Sequence, residues 1–341
     1  MKRKNLYIVA CMVLLMVLQT ITVHGQIVKR GQAGFRFLEN PISAEAIGRG
    51  GLGVAMMTNS NSVFWNPAGI GWLNNLDVSF NYTRGIADIN HSSAAVGIPL
   101  GGFGVLALSG IVMDYGEFHG TRRAANEEGY IDTGTFSPVA MAFGLAFSQR
   151  VTERFSYGVH MKYAYQDLGS AWVSTGDAGL GDDGLTIEQR AYTLGVPAVD
   201  VGAYYDFLVY GIRFGAVVQN ISREIEYEVE KFPLPFAISF GATIEPLMML
   251  MEGKSSSRVI LSIESRHPRD FRENLKFGAE YLFEDFLILR AGYMDGFDER
   301  GLTAGAGVMQ RIGGVGVRMN YAYEAFGLFG GVHYVSIGLS Y

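Results

Sequence analysis

With 341 residues, 27 of them basic and 33 acidic, the chain carries a formal charge of −6. So mild an acidic excess leaves no electrostatic footprint for nucleic acid. Forty-five glycines, 18 tyrosines and 22 phenylalanines stand beside only nine prolines and one cysteine, which excludes a disulfide-stapled scaffold and leans toward strands.

At the start, Lys2, Arg3 and Lys4 precede an apolar run over residues 6–23, and Val23-His24-Gly25 ends it. A basic head, an apolar middle and a small-residue end describe a secretory signal, with cleavage expected after Gly25. The run approaches the length of a single membrane anchor, but the glycine-rich, polar stretch 26–37 favours cleavage. Cys11 lies inside the run. Ile8-Val9-Ala10-Cys11 faintly resembles a lipoprotein box, yet the apolar stretch continues well past it, so the cysteine is read as part of the discarded segment. The mature chain then has no cysteine for a disulfide, a thiolate metal site or a nucleophile, and its charge becomes −9 with those three basic residues gone. No second run of about eighteen apolar residues follows, so no transmembrane helix is expected in the mature chain.

Residues 26–76 do not alternate. Ser43 is expected to cap a short helix starting at Ala44, with Ala46 and Ile47 in its interior. Gly48-Arg49-Gly50-Gly51-Leu52-Gly53 then breaks it. Glycines at this density superficially suggest a dinucleotide loop, but that motif needs a preceding strand and a crossover helix, and both are missing. Close backbone packing in a confined space is the better reading of Gly48, Gly50 and Gly51. Next comes Phe64-Trp65-Asn66-Pro67-Ala68-Gly69, where Asn before Pro sets a turn.

From residue 77 onward the dominant signal is a period of two. Tyr157, Val159, Met161, Tyr163 and Tyr165 alternate with Gly158, His160, Lys162, Ala164 and Gln166. Phe277, Ala279, Tyr281 and Phe283 alternate with Lys276, Gly278 and Glu280, and Val317, Met319, Tyr321 and Tyr323 with Arg318, Asn320 and Glu324. Strict alternation marks strands whose faces meet different surroundings. A soluble sandwich and a membrane barrel share that period. Three features favour the barrel: small residues on the polar face would pack a poor core, many strands begin or end on Tyr or Phe as an interfacial girdle would, and a last strand over 332–341 ends on Tyr341. A final strand closing on an aromatic resembles the assembly signal read by the outer-membrane barrel-assembly machinery.

The expected fold is therefore all-β, a transmembrane antiparallel β-barrel of about fourteen strands spanning 77–341. The strands are placed at 77–84, 91–99, 102–113, 136–149, 154–167, 187–205, 210–220, 234–245, 258–266, 273–283, 286–295, 301–311, 315–324 and 332–341. Longer connections (114–135, 168–186, 221–233) fall on one side and tight turns on the other, the asymmetry of an outer-membrane barrel. Segment 246–257, with Leu247-Met248-Met249-Leu250-Met251, is too long for a tight turn: it is either a short amphipathic piece at the inner rim or a place where the strand register is shifted.

The stretch 44–70, with its Gly-Arg-Gly-Gly run and its Phe-Trp-Asn-Pro-Ala-Gly box, resembles the start of the PorV/PorQ family, whose members are FadL-like outer-membrane barrels. Leu302-Thr303-Ala304-Gly305-Ala306-Gly307-Val308, Tyr321-Ala322-Tyr323 and the terminal Tyr341 are similar too. The resemblance covers both ends; the middle strands agree only in pattern. It implies a fourteen-stranded barrel in the outer membrane of a Gram-negative bacterium, with residues 26–76 folded into the lumen as a hatch or plug carrying Gly48, Gly50, Gly51, Trp65, Asn66, Pro67, Ala68 and Gly69. It also implies two jobs. Members named for type IX secretion work beside a translocon, receiving cargo and passing it to an attachment complex. The wider FadL-like group moves hydrophobic small molecules. The secretion role is taken as the leading expectation, the channel as its rival, and a structural barrel without transport as a third reading, because function follows sites and not folds.

Catalytic constellations are scarce. The mature histidines, His91, His119, His160, His267 and His333, form no His-Glu-x-x-His pair, and neither a Gly-x-Ser-x-Gly elbow nor a phosphate loop occurs. His119, Asp182 and Asp183 fall in expected outer loops, and Asp177, Asp182 and Asp183 do not match an EF-hand spacing, so solvated loops are the simpler reading. No enzyme, cofactor or metal is expected. Inward-facing charges are His160, Lys162, Arg213, Glu264, Arg266, Glu280, Arg290, Arg318 and Glu324. They line a substrate path or form a paired network anchoring the hatch, and the presence of both signs favours pairing. Expected partners are outer-membrane lipid and the assembly machinery, with the translocon, cargo or attachment complex on the secretion reading and a hydrophobic ligand on the channel reading.

Overall fold

The computed structural model describes residues 31–124, 126–174, 187–250 and 257–341. The expected signal sequence, Cys11, and Asp177, Asp182 and Asp183 lie outside the described residues. No helix among them is long and apolar enough to cross a membrane, which says nothing of crossing by strands.

The strands are β1 (Asp77–Arg84), β2 (Asn90–Pro99), β3 (Val105–Asp114), β4 (Phe118–Arg123), β5 (Tyr130–Phe136), β6 (Val139–Arg150), β7 (Phe155–Ser174), β8 (Ile187–Asp206) and β9 (Arg213–Ile221). They continue as β10 (Ile225–Glu226), β11 (Lys231–Phe232), β12 (Ala237–Ile244), β13 (Ser257–Pro268), β14 (Asn274–Phe283), β15 (Leu287–Asp295), β16 (Arg300–Ile312), β17 (Val315–Phe326) and β18 (Gly331–Ser340). Among the described residues fourteen of these close into one ring, in the order β1-β2-β3-β6-β7-β8-β9-β12-β13-β14-β15-β16-β17-β18 and back to β1. The closing seam is antiparallel, from Asp77 opposite Ser340 to Arg84 opposite His333. β4-β5 and β10-β11 are separate two-stranded hairpins. The chain is thus an all-β, fourteen-stranded antiparallel barrel, the fold and strand number expected from the sequence.

Alternation explains the ring. On one face Phe80, Leu108, Phe143, Met161 and Tyr163 each expose more than half of their surface. An apolar belt of that extent has no place in water and suits lipid. The opposite face is buried, and its residues are small: Ala95, Ala107, Ala142, Ala146, Ala164, Ala198 and Ala322. The sequence argument that such residues make a poor core needs correction. They form half of a core whose other half is the segment before β1, as in the clusters of Ile42, Met57 and Trp65 with Ile111 and Met113, and of Val63 and Ile70 with Ala107 and Ala146.

Other expectations also shift. Residues 168–174, expected as loop, continue β7, and they pair with β8 past a bulge between Asp167 and Ser170 where Gly169 adopts φ 85°. A bulge inserts a residue and breaks the two-residue period, so the pattern stops being readable there. The expected loop 114–135 contains most of the β4-β5 hairpin. The β2–β3 turn closes with the Leu100 N–H on the Gly104 carbonyl, later than expected. In 246–257, Pro246–Leu250 is a short helix, while 251–256 fall outside the described residues.

Candidate functional site

The tight connections between β2 and β3, β6 and β7, β8 and β9, β14 and β15, and β16 and β17 share one end of the barrel with the start of β1; we call it the turn rim, and the other end the loop rim. The hatch runs between them. At the loop rim the Gly34 N–H bonds the Pro233 carbonyl, and the Arg36 guanidinium bonds Asp270 at 3.0 Å and covers the Phe271 ring. The hatch then descends. Ser43 caps the helix Ala44–Ile47 by accepting the Glu45 N–H, and the Ala44 N–H donates to Ser336 Oγ at 2.8 Å. Asn66 caps a 3₁₀ helix, Pro67–Trp72, by accepting the Ala68 N–H, with Pro67 in the first helical position. The other end of the Asn66 amide donates to the carbonyls of Val54 and Ala203, and the Ala68 carbonyl accepts from Ser148 and Ser156 at the turn rim. Trp65 donates its indole N–H to the Gly51 carbonyl at 3.2 Å. A Cβ on Gly69 would run into Met57 and Ser62.

Glycine meets glycine where the hatch touches the wall. A Cβ on Gly292 of β15 would collide with the backbone of Arg49 and Gly50, and one on Gly305 of β16 would meet Gly48. Gly50 itself has φ 83°, a conformation that favours glycine.

Two inward carboxylates grip this segment. Glu280 accepts from Arg49 Nη1 at 3.0 Å and from Arg290 Nε at 2.6 Å. Arg49 is almost fully buried and also reaches the Leu52 carbonyl and Glu45. Arg290 extends the chain to Asn320 at 2.8 Å. Glu264 accepts the N–H groups of Gly53 and Val54 at 3.0 and 3.1 Å, and Lys276 Nζ at 3.1 Å on its other oxygen. Removing one partner from a buried pair costs about 3–5 kcal/mol, because the other charge is left without compensation. Across the bore, Asp200 binds Lys162 at 2.7 Å, His160 Nδ1 at 3.1 Å and the Asn220 N–H at 2.7 Å. Asn220 has φ 60° at a bulge between β8 and β9.

The remaining candidates sit apart. Arg213 pairs with Asp206 and Glu245 at the turn rim, Arg318 with Asp77, and Glu324 with Arg300 and the Tyr334 hydroxyl. Arg266 bonds Gln219 and Glu39. Tyr341 is exposed, and its backbone N–H bonds the Leu76 carbonyl. Sequence reasoning gave no role to Arg49, Asp77, Asp200 or Lys276. Asp200 was findable, since it alternates with Ala198 and Gly202 on the small face of β8; Arg49, among glycines, carries no periodic signal.

Above the hatch lies a cavity of about 510 Å³. Its lining comes from the hatch, from Ile86 and Ile89 between β1 and β2, from Ile111 and Met113 of β3, and from loop-rim residues including Phe271, Phe297 and Phe326. Its basic residues Arg36, Lys162, Arg266, Lys276 and Arg300 are each ion-paired. Among the described residues no group of three or more His, Cys, Asp or Glu could hold a metal ion.

No protein-family profile and no curated protein sequence matches the chain. Solved structures do. The chain is similar to the toluene transporter TodX of Pseudomonas putida at 10% identity and TM-score 0.55, over 92% of this chain and 98% of that one. It is similar to a FadL homologue of Pseudomonas aeruginosa at 12% identity and TM-score 0.55, over 89% and 98%. The toluene transporter TbuX of Ralstonia pickettii aligns at 15% identity and TM-score 0.51, over 88% and 97%. At such identities the likeness is one of architecture: the fold is that of the FadL-type barrels.

Proposed function

We propose that this chain is a non-enzymatic channel for hydrophobic small molecules in the outer membrane of a Gram-negative bacterium, with its loop rim facing outward. The cavity carries the reading. It is of ligand size, borders the loop rim, has several aliphatic and aromatic walls, and holds basic groups already matched by acids. Below it the hatch packs against the wall with buried side chains, an arrangement unsuited to free flow of ions or sugars. Two of the similar barrels are named as toluene transporters, which supports monoaromatic hydrocarbons as a first class to test. The sequence-based order of preference is therefore reversed. Onward passage requires the hatch to shift, and its described polar contacts with the wall are non-covalent.

The test is uptake. Bacteria lacking their own hydrocarbon channels and producing this protein should take up radiolabelled toluene several-fold faster than controls. Ile111→Trp, which fills the cavity, should abolish the gain. No gain from correctly inserted protein sinks the proposal.

A second reading, a PorV/PorQ-type accessory in type IX secretion, rests on the sequence resemblance of residues 44–70. It is favoured by one observation: Phe118, Tyr130, Ile131 and Trp172, on the β4-β5 hairpin and the extension of β7, are exposed and offer a surface for a protein partner. Co-purification of translocon or cargo proteins that is lost on trimming β4-β5 would support it. Unchanged capture would count against it.

A further inference from the structure

The inward residues of β1 divide into two groups. The lower three are occupied by the hatch: Asp77 accepts the Ser60 N–H at 2.9 Å, Ser79 bonds the Ser60 hydroxyl, and Asn81 exchanges hydrogen bonds with Asn61. Thr83 is the next inward residue and lines the cavity. Its direct cross-strand partner on β2 is His91, which is followed across the ring by Met113 of β3; on the other side Thr83 faces Tyr334 of β18. All four line the cavity. Tyr334 spends its hydroxyl on Glu324 at 2.6 Å. Thr83 Oγ1 and His91 Nε2 have no hydrogen-bond partner among the described residues, although Thr83 is 6% and His91 4% exposed. Two neighbouring buried polar groups without partners are uncommon in a native protein and call for an explanation, which a bound polar group would supply.

Resting on the channel reading, we propose that Thr83 and His91 form a polar subsite that holds the hydroxyl group of an uncharged, otherwise hydrophobic ligand, an alcohol or a phenol. A hydroxyl both donates and accepts, so it can satisfy an imidazole nitrogen and a threonine hydroxyl together. The ligand's apolar body then lies against Ile86, Ile89, Ile111 and Met113. The charge pattern selects against a carboxylate: the lysines and arginines that line the cavity are all held by acids, and among the described residues no acid is bonded to His91 Nε2. A second anion would have to break a buried pair to find a cation.

The experiment compares p-cresol, p-xylene and 4-methylbenzoate, which share a shape and differ in one group. Equilibrium dialysis of each against the full chain in nanodiscs, corrected for empty nanodiscs, gives the affinities. The ratio of p-cresol to p-xylene affinity should fall about tenfold in a Thr83→Val, His91→Phe double variant, as two lost hydrogen bonds imply. Thr83→Val alone, close in shape and safe for folding, should lower it about threefold. Saturable p-xylene binding should persist in both. An unchanged ratio with p-xylene still bound overturns the subsite and leaves the channel standing. Tighter binding of 4-methylbenzoate than of p-cresol overturns the uncharged class. Loss of saturable binding of every probe to the wild-type protein removes the channel reading and this inference with it.

Discussion

Glu45 shows how much single residues depend on distant parts of the chain. Burial alone would push its carboxyl upward, but Arg49, then Arg290 and Arg318, and the Asn59 amide hold it below the ordinary value of 4.5. A carboxyl with a depressed value in the folded state contributes stability that is present above its unfolded value and is lost as pH falls through the folded one. Seating of the hatch should therefore weaken as pH drops below about 4.5, read as faster amide exchange over residues 44–54. In Glu45→Gln that acid-induced loosening should shrink; an identical pH profile in the variant would refute the assignment. Alternation in the sequence makes Glu264, Glu280 and Arg290 legible as inward charges. Their partners in the segment before β1 are not legible, since Arg49 and Glu280 are separated by 231 positions and nothing local links them. Thr83 and His91 look ordinary in the sequence for the same reason: what distinguishes them is the lack of a bond, a property only the folded chain has.

At the scale of elements, the strands were open to reading because each meets two different surroundings, and a period of two records that directly. β1 and β14 fall within a residue of their expected bounds. Reading failed at the bulge of β7–β8, where an extra residue shifts the phase and the continuation of β7 was taken for loop. It also misjudged the small inward face, because alanine and glycine describe a space and not the object filling it. That object can be tested at Gly292. Gly292→Ala places a methyl group against the Arg49–Gly50 backbone and should destabilise hatch seating by about 1–3 kcal/mol. Exchange protection over 48–54 should drop while the amides of β6 and β7 keep theirs. Equal protection in variant and wild type would mean that the wall yields there.

For the molecule as a whole, the segment before β1 packs against the inner face of the ring, so removing residues 31–72 should convert a tight barrel into an open one. Planar-bilayer recordings should then show discrete conductance steps absent from the full chain, and a silent truncated barrel that is correctly folded would contradict this. The seam carries a further consequence. β1 and β18, the two strands that meet last along the chain, are also hatch-holding strands, through Asp77, Ser79, Asn81 and Ser336. The seam is consequently laced from within, because both strands that close the ring also hold the segment inside it. Loosening the inner thread should therefore also weaken the stitch between the first and last strands.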